Sequence, residues 1–178
     1  MKFSPYHESD KPEIQKLFTQ TFSESDSPSE GALVGRLVLE LMNETGPRDM
    51  LGLVATEHGK ILGSIFFTRL AFDASVEAFL LSPVAVHTDH QGKGIGQGLI
   101  NAGLDQLRDK GVEMVFTYGD PNFYSKVGFR HISEDTAKAP FTLTQPEGWL
   151  CQSPGGGEIA PVSGRSRCVA AFNNPGYW

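Results

Sequence analysis

A mixed α/β (α+β) domain is the fold class that the sequence predicts, on three observations. Two stretches near the start repeat their apolar residues with helical period. Later runs are rich in β-branched and aromatic residues. A glycine-rich segment then joins one such run to a third helical stripe, which is followed by another apolar run in strand–helix–strand order. The 178 residues suit one domain, 1–178, with a sizeable core.

Taken in order, Lys2–Tyr6 reads as a short strand. Asp10, Pro12 and Glu13 have the spacing of a capping box that opens a helix. Ile14, Leu17, Phe18 and Phe22 mark one face of that helix. The polar stretch 23–30, with its Ser, Asp and Pro, is expected to be a loop. Leu33, Val34, Leu37, Val38 and Leu41 form the stripe of a second helix, broken at Asn43–Asp49. Leu51–Thr56 and Ile61–Leu70 read as strands around a hairpin turn at Glu57-His58-Gly59-Lys60. Asp73–Ser75 is a turn and Val76–Val86 a long apolar strand. Pro83 within it cannot donate to a sheet ladder, so a bulge or a lapse of pairing is expected there. The helix after Gln91 places Ile95, Leu99, Gly103, Leu104 and Leu107 on one side, with Gly111 as its stop after Lys110. Met114–Tyr118 is a buried strand, and Pro121–Lys126 a short helix ended by Val127-Gly128. Another strand starts at Phe129. The remainder, 133–178, is rich in Pro and Gly and is expected to hold a strand at Arg167–Phe172.

Composition narrows the function classes. A net charge of −6 argues against general nucleic-acid or membrane-surface binding, which calls for a basic face. Cys151 and Cys168 are too few for a disulfide framework and lack metal-ligand spacing, so they read as free thiols in a reducing compartment. The polar segment Met1–Asp10 lacks the apolar core of a signal peptide. No apolar run approaches the ~20 residues of a membrane span. These signs point to a cytoplasmic protein.

The most informative segment is Gln91-Gly92-Lys93-Gly94-Ile95-Gly96-Gln97-Gly98. Alternate glycines let the backbone approach a ligand. Successive N–H groups at a helix start form an anion nest, and Lys93 adds a positive charge. The Lys-Ser/Thr pair of a P-loop is missing. Gly92-Lys93-Gly94-Ile95-Gly96 contains GxG, but the third glycine is misplaced for a dinucleotide fingerprint. His87 and His90, three apart, lack a third ligand nearby, so no metal is expected.

The spacing Gln91-x-x-Gly94-x-Gly96, after a strand and opening a helix, resembles the GNAT superfamily of N-acetyltransferases. Phe123-Tyr124-Ser125-Lys126-Val127-Gly128-Phe129 is similar to that family's Tyr-x-x-x-Gly-Phe element. Gly119-Asp120-Pro121-x-Phe123-Tyr124 resembles the GDP-x-YY signature of a bacterial branch, and Leu81–Val86 that branch's central strand. The resemblance covers 1–132 well and the tail loosely. It implies a mostly antiparallel central sheet flanked by helices, with parallel central strands, Val76–Val86 and Met114–Tyr118, that splay apart. It implies that the loop Gln91, Gly92, Lys93, Gly94, Ile95, Gly96 and Gln97 holds the pyrophosphate of acetyl-CoA, and that the backbone of Val84, Ala85 and Val86 holds the pantetheine. An N–H near Val84 would polarise the thioester carbonyl. Tyr124, beside the thioester sulfur, would act as general acid for the leaving thiolate, a role that suits a phenol with a pKa near ~10.

The family often places a carboxylate on the central strand as base, but Leu80 and Leu81 stand there instead. Glu77, Asp120 and His87 are the candidate bases, and Asp120 is equally placed to cap the short helix that follows it. The implied reaction is acetyl transfer to a primary amine on a small molecule or a protein, by direct attack, by a monomer or homodimer. The alternatives are a non-catalytic coenzyme A-binding sensor on the same fold and a nucleotide-binding protein of another fold.

Overall fold

The computed structural model describes residues 1–178. Its strands are β1 (Lys2–Pro5), β2 (Met50–Glu57), β3 (Lys60–Arg69), β4 (Ala78–Val86), β5 (Met114–Tyr118), β6 (Arg130–His131) and β7 (Trp149–Gln152). Its α-helices are α1 (Lys11–Ser25), α2 (Pro28–Glu44), α3 (Ile95–Asp109) and α4 (Pro121–Tyr124). The seven strands form one sheet in the order β1-β2-β3-β4-β5-β7-β6. The β4–β5 pair is parallel, whereas β1–β2, β5–β7 and β6–β7 are antiparallel. The chain divides into two compact units, Met1–Phe66 with Pro83–Ala102, and Phe67–Ser82 with Gly103–Trp178.

In the first unit, α1 and α2 pack with Ile14, Leu17, Phe18, Val34, Leu37, Val38 and Leu41 buried, as the two stripes predict. Their approach is close at Gly31 and Gly35. A Cβ on Gly35 would lie 2.1 Å from the Thr19 hydroxyl. The loop expected at 23–30 shrinks to Asp26 and Ser27, because α1 runs to Ser25 and α2 starts at Pro28. Glu24 and Ser25 are exposed, so their polarity marks the wet side of a helix rather than its end. Ser27 Oγ accepts from Glu30 N at 3.2 Å, which makes Ser27 the true cap.

The predicted capping box is also relocated. A 3₁₀ turn, Glu8–Asp10, precedes α1, and an Asp10 carboxylate oxygen accepts from His7 N at 2.8 Å. Glu13 Oε1 accepts instead from Ile61 N, at 3.0 Å. The β2–β3 hairpin turns on His58 and Gly59, with φ of 50° and 76°, the two left-handed residues that a type I′ turn requires.

In the second unit, β4 starts at Ala78 rather than Val76. The β4–β5 register runs from Ala78↔Met114 to Leu81↔Thr117. Phe116 stacks on Trp149 at 5.1 Å between centroids, and Trp149 Nε1 donates to Ala137 O at 2.8 Å. The strand expected at Arg167–Phe172 is a correction. Arg167 makes a single bridge with Ala71, and Ala170–Phe172 is a 3₁₀ turn. The tail's strand is β7, four residues between a turn and a Ser-Pro pair, too short for periodicity to reveal.

Candidate active site

β4 delivers its C-terminal residues to the glycine-rich turn. Along Pro83–Val86, Pro83 and Ala85 are buried while Val84 and Val86 are part-exposed, and the β4–β5 register ends before them, at Leu81↔Thr117. His87 N donates to Leu62 O at 2.8 Å and seats the strand's end. A 3₁₀ turn, Thr88–His90, follows, with His87 Nδ1 accepting from Asp89 N at 3.4 Å. Thr88 Oγ1 donates to Glu24 in a short hydrogen bond.

The turn then enters the loop. Gly92 and Gly94 have φ of 73° and 78°, a region closed to most side chains. A Cβ at either would meet no atom within 4 Å, so space lies open in front of both. α3 begins at Ile95, and Gly98 N donates to Gly94 O at 2.9 Å as its first rung. The N–H groups of Ile95, Gly96 and Gln97 therefore fall in the first turn, where a helix offers donors without internal partners. Ile95 is buried and anchors the turn.

Two loop side chains brace the backbone. Gln91 Nε2 donates to Val86 O, and Lys93 Nζ donates to Asp89 O, each at 3.0 Å. Val86 O thereby gains a partner within the protein. Gly98 serves packing instead, since a Cβ there would lie 2.4 Å from the Phe3 ring.

The second unit carries the tyrosine. Asp120 Oδ1 accepts from Asn122 N at 2.9 Å and caps α4. Tyr124 closes that helix, and its ring meets Phe123 and Phe129 edge-on at 5.0 and 5.7 Å. A Cβ on Gly119 would lie 2.8 Å from the same ring, so glycine is needed for the contact. Burial raises the Tyr124 phenol above its ordinary pKa, and the Asp120 charge acts in the same direction. The Thr117 hydroxyl opposes them. The phenol, on a part-exposed side chain, stays protonated at neutral pH, as a proton donor must.

The remaining candidate bases differ in setting. Glu77 lies at the opposite end of β4 from the loop, roughly 30 Å by strand length from Val86. There it pairs with Arg69 at 2.7 Å, and its N–H donates to Glu113. His87 is held in the turn at the head of the loop. His87 and His90 approach with ring centroids 5.8 Å apart, and no group of three or more His, Cys, Asp or Glu gathers as metal ligands. Sequence reading missed Thr117, the lone threonine in the run Met114–Tyr118, whose Oγ1 donates to Leu81 O at 3.0 Å across the β4–β5 pair.

Residues 49–131 match the family model described as Acetyltransferase (GNAT) domain. The chain is 31% identical over 151 residues to the uncharacterized N-acetyltransferase YjhQ of Escherichia coli K12, covering 82% of this chain and 80% of YjhQ.

The chain belongs to the GNAT family of N-acetyltransferases.

A second relative, the uncharacterized N-acetyltransferase YhbS of Escherichia coli K12, is 34% identical over 67% of this chain and 68% of its own. Among solved structures, a GNAT family acetyltransferase from Brucella melitensis in complex with acetyl-CoA matches with a TM-score of 0.73 at 26% identity, over 97% of both chains. The YhbS structure in complex with CoA matches in fold, with a TM-score of 0.80 at 24% identity over 97% of this chain and 92% of that one. The GNAT sheet, mostly antiparallel with one parallel pair, is the one expected from the sequence. GNAT enzymes take acetyl-CoA as co-substrate, and the glycine loop before α3 falls inside the matched segment.

Proposed function

We propose that this GNAT protein transfers the acetyl group of acetyl-CoA to a primary amine by direct attack, and that Gln91–Gln97 is its pyrophosphate site. The observation that carries the proposal is the pair of left-handed glycines, Gly92 and Gly94, facing open space before the first turn of α3. That arrangement presents backbone donors and a helix N-terminus to an anion. The acetyl-CoA complex of the Brucella relative supports the choice of ligand.

Acetyl-CoA supplies an activated thioester, so the chain needs no nucleophile of its own. Val84 and Ala85 hold the pantetheine along β4 past its last rung with β5, and the N–H at Val84 polarises the thioester carbonyl. The ammonium loses one proton to a base, the C–N bond forms, the C–S bond breaks, Tyr124 protonates the leaving thiolate, and the second proton lost from the nitrogen restores the phenol. Among the candidate bases we choose Asp120, acting directly or through water. It neighbours Tyr124, whereas Glu77 is distant and paired with Arg69. Holding two reactants together supplies much of the acceleration. The acceptor is an amine of a small molecule or a protein, and the net charge of −6 suits a cationic one. Two unbridged cysteines fit a cytoplasmic setting.

The test is thiol release from acetyl-CoA against a panel of amines: a polyamine, an aminoglycoside, free amino acids and protein lysines. Tyr124→Phe is expected to lower kcat about 10²-fold or more with little change in KM. Full kcat in that variant removes Tyr124 from the chemistry. A wild type that binds acetyl-CoA and acetylates none of the amines favours the coenzyme A sensor.

A further inference from the structure

We infer that the Tyr118 hydroxyl is a positioning latch for Tyr124. It ties the loop 144–148 to the end of β5, and that loop backs Gly119, the residue against which the Tyr124 ring packs. The inference rests on the reading of Tyr124 as general acid.

The latch is a chain of hydrogen bonds with a fixed direction. Gln145 N donates to Tyr118 Oη at 2.7 Å, and Tyr118 Oη lies 3.1 Å from Thr144 Oγ1. Thr144 Oγ1 in turn lies 3.1 Å from Trp178 O, which only accepts. A threonine hydroxyl has one proton to give. The assignment that satisfies every contact sends it to Trp178 O, so Tyr118 donates to Thr144. The Tyr118 hydroxyl thus has both a donor and an acceptor partner. Its ring stacks on Trp178, with centroids 6.2 Å apart and planes 12° apart. A phenol engaged in this way serves as a fastener rather than as an acid.

The loop closes on the residue that follows. Its 3₁₀ turn, Pro146–Gly148, brings Gly148 beside Gly119, whose N donates to Gly148 O at 3.0 Å. A Cβ on Gly148 would lie 3.0 Å from Gly119 O and 3.4 Å from the Tyr118 ring, so the approach is close. Gly148 N donates back to Gln145 O at 2.9 Å, which joins the two anchor points of the loop. Gly119 therefore has the loop packed against its backbone and the Tyr124 ring packed against its α-carbon, 2.8 Å from where a Cβ would stand. Tyr124 N donates to Asp120 O and Phe129 N donates to Tyr124 O, each at 3.2 Å. Gly119 is the first residue past β5, so its place sets where Asp120 launches α4 and where the Tyr124 ring rests. Close packing passes a shift of Gly119 on to that ring. A tyrosine with a merely structural part would hold the tail and leave the proton donor unaffected.

The experiment compares wild type, Tyr118→Phe, Thr144→Val, Thr144→Ser, Tyr124→Phe and the double variant Tyr118→Phe/Tyr124→Phe. The first readout, amide hydrogen exchange resolved by residue, needs no acceptor. Tyr118→Phe keeps the ring on Trp178 and removes only the hydroxyl. It is expected to speed exchange about 10-fold at Gly119 and at Phe129, whose N–H groups report the Gly148 and Tyr124 contacts, while the amides of β2 stay as in wild type. Faster exchange at Gln145 alone, or at Gly119 without Phe129, stops short of Tyr124 and overturns the inference.

The second readout is turnover of acetyl-CoA with the fastest amine of the panel. Tyr118→Phe is expected to lower kcat roughly 10-fold with KM for acetyl-CoA little changed. Thr144→Val is expected to lower it in the same way, and Thr144→Ser, which keeps the hydroxyl, to stay near wild type. The double variant is expected to be no slower than Tyr124→Phe, because the latch acts through the phenol already removed. A double variant slower than Tyr124→Phe by the full factor makes the part of Tyr118 independent of Tyr124 and overturns the inference. Wild-type kcat in Tyr118→Phe beside a crippled Tyr124→Phe overturns it too and leaves Tyr124 as the acid. Wild-type kcat in Tyr124→Phe overturns both. Should Tyr118→Phe fail to fold by circular dichroism, Thr144→Val, at an exposed position, takes its place in both readouts with the same expected outcomes.

Discussion

Asp120 shows how one residue carries two duties that a substitution can separate. As the cap of α4 it needs only a side-chain oxygen for Asn122 N, and asparagine caps as well as aspartate. As a base it needs the charge. Asp120→Asn is therefore expected to keep the melting temperature within a degree or two and to lower kcat at neutral pH by about 10²-fold. Asp120→Ala is expected to add a loss of about 1 kcal/mol in stability. Equal kcat in Asp120→Asn and wild type would return the base to His87 or to solvent. The loop glycines and Tyr124 were legible because their chemistry is written in local spacing. Thr117 was not, because its partner Leu81 lies 36 positions away, and only the register of β4 on β5 brings it near.

At the scale of elements, the glycines of one run divide their work. Gly92 and Gly94 are required by backbone conformation before open space, whereas Gly98 makes room for Phe3 of β1 against α3. Gly98→Val is expected to cost about 1–3 kcal/mol and to lower the melting temperature by several degrees. Its acetyl-CoA affinity should fall far less than that of a Gly94 variant, as a thermal melt beside a titration would show. An unchanged melt with lost binding would instead assign Gly98 to the ligand. Helices and hairpins were readable where periodicity and turn chemistry act within a few residues, as at His58-Gly59. The boundary between α1 and α2 was not, because polar residues on the exposed face of a helix have the composition of a loop. β7 was hidden for a different reason. Its four residues owe their strand to β5 and β6 on either side, a tertiary preference absent from the local sequence.

For the molecule as a whole, alkaline pH is the condition under which the fold is most exposed. Burial pushes the Cys151 thiol up to about 12 from an ordinary 9.0. The folded pKa is the higher one, so the contribution is fully present below about pH 9 and is lost as pH rises toward 12, by up to about 4 kcal/mol. Tyr124, raised by burial, acts in the same direction. Denaturant unfolding at stepped pH is expected to show stability falling above pH ~9, with a shallower fall in Cys151→Ala; equal slopes would refute the assignment. The family and the strands β1 to β5 were legible from the first 132 residues, whereas β7 and the tail's packing of Trp149 on Phe116 were not, since few of the tail's contacts are local. The central claim is that Gln91–Gln97 binds the pyrophosphate of acetyl-CoA. It is tested most directly by calorimetric titration of acetyl-CoA into wild type and Gly94→Glu. Micromolar binding by wild type, lost in a folded Gly94→Glu protein whose new carboxylate faces the phosphates, is the predicted result. No binding by a well-folded wild type, or equal binding by both, would contradict it.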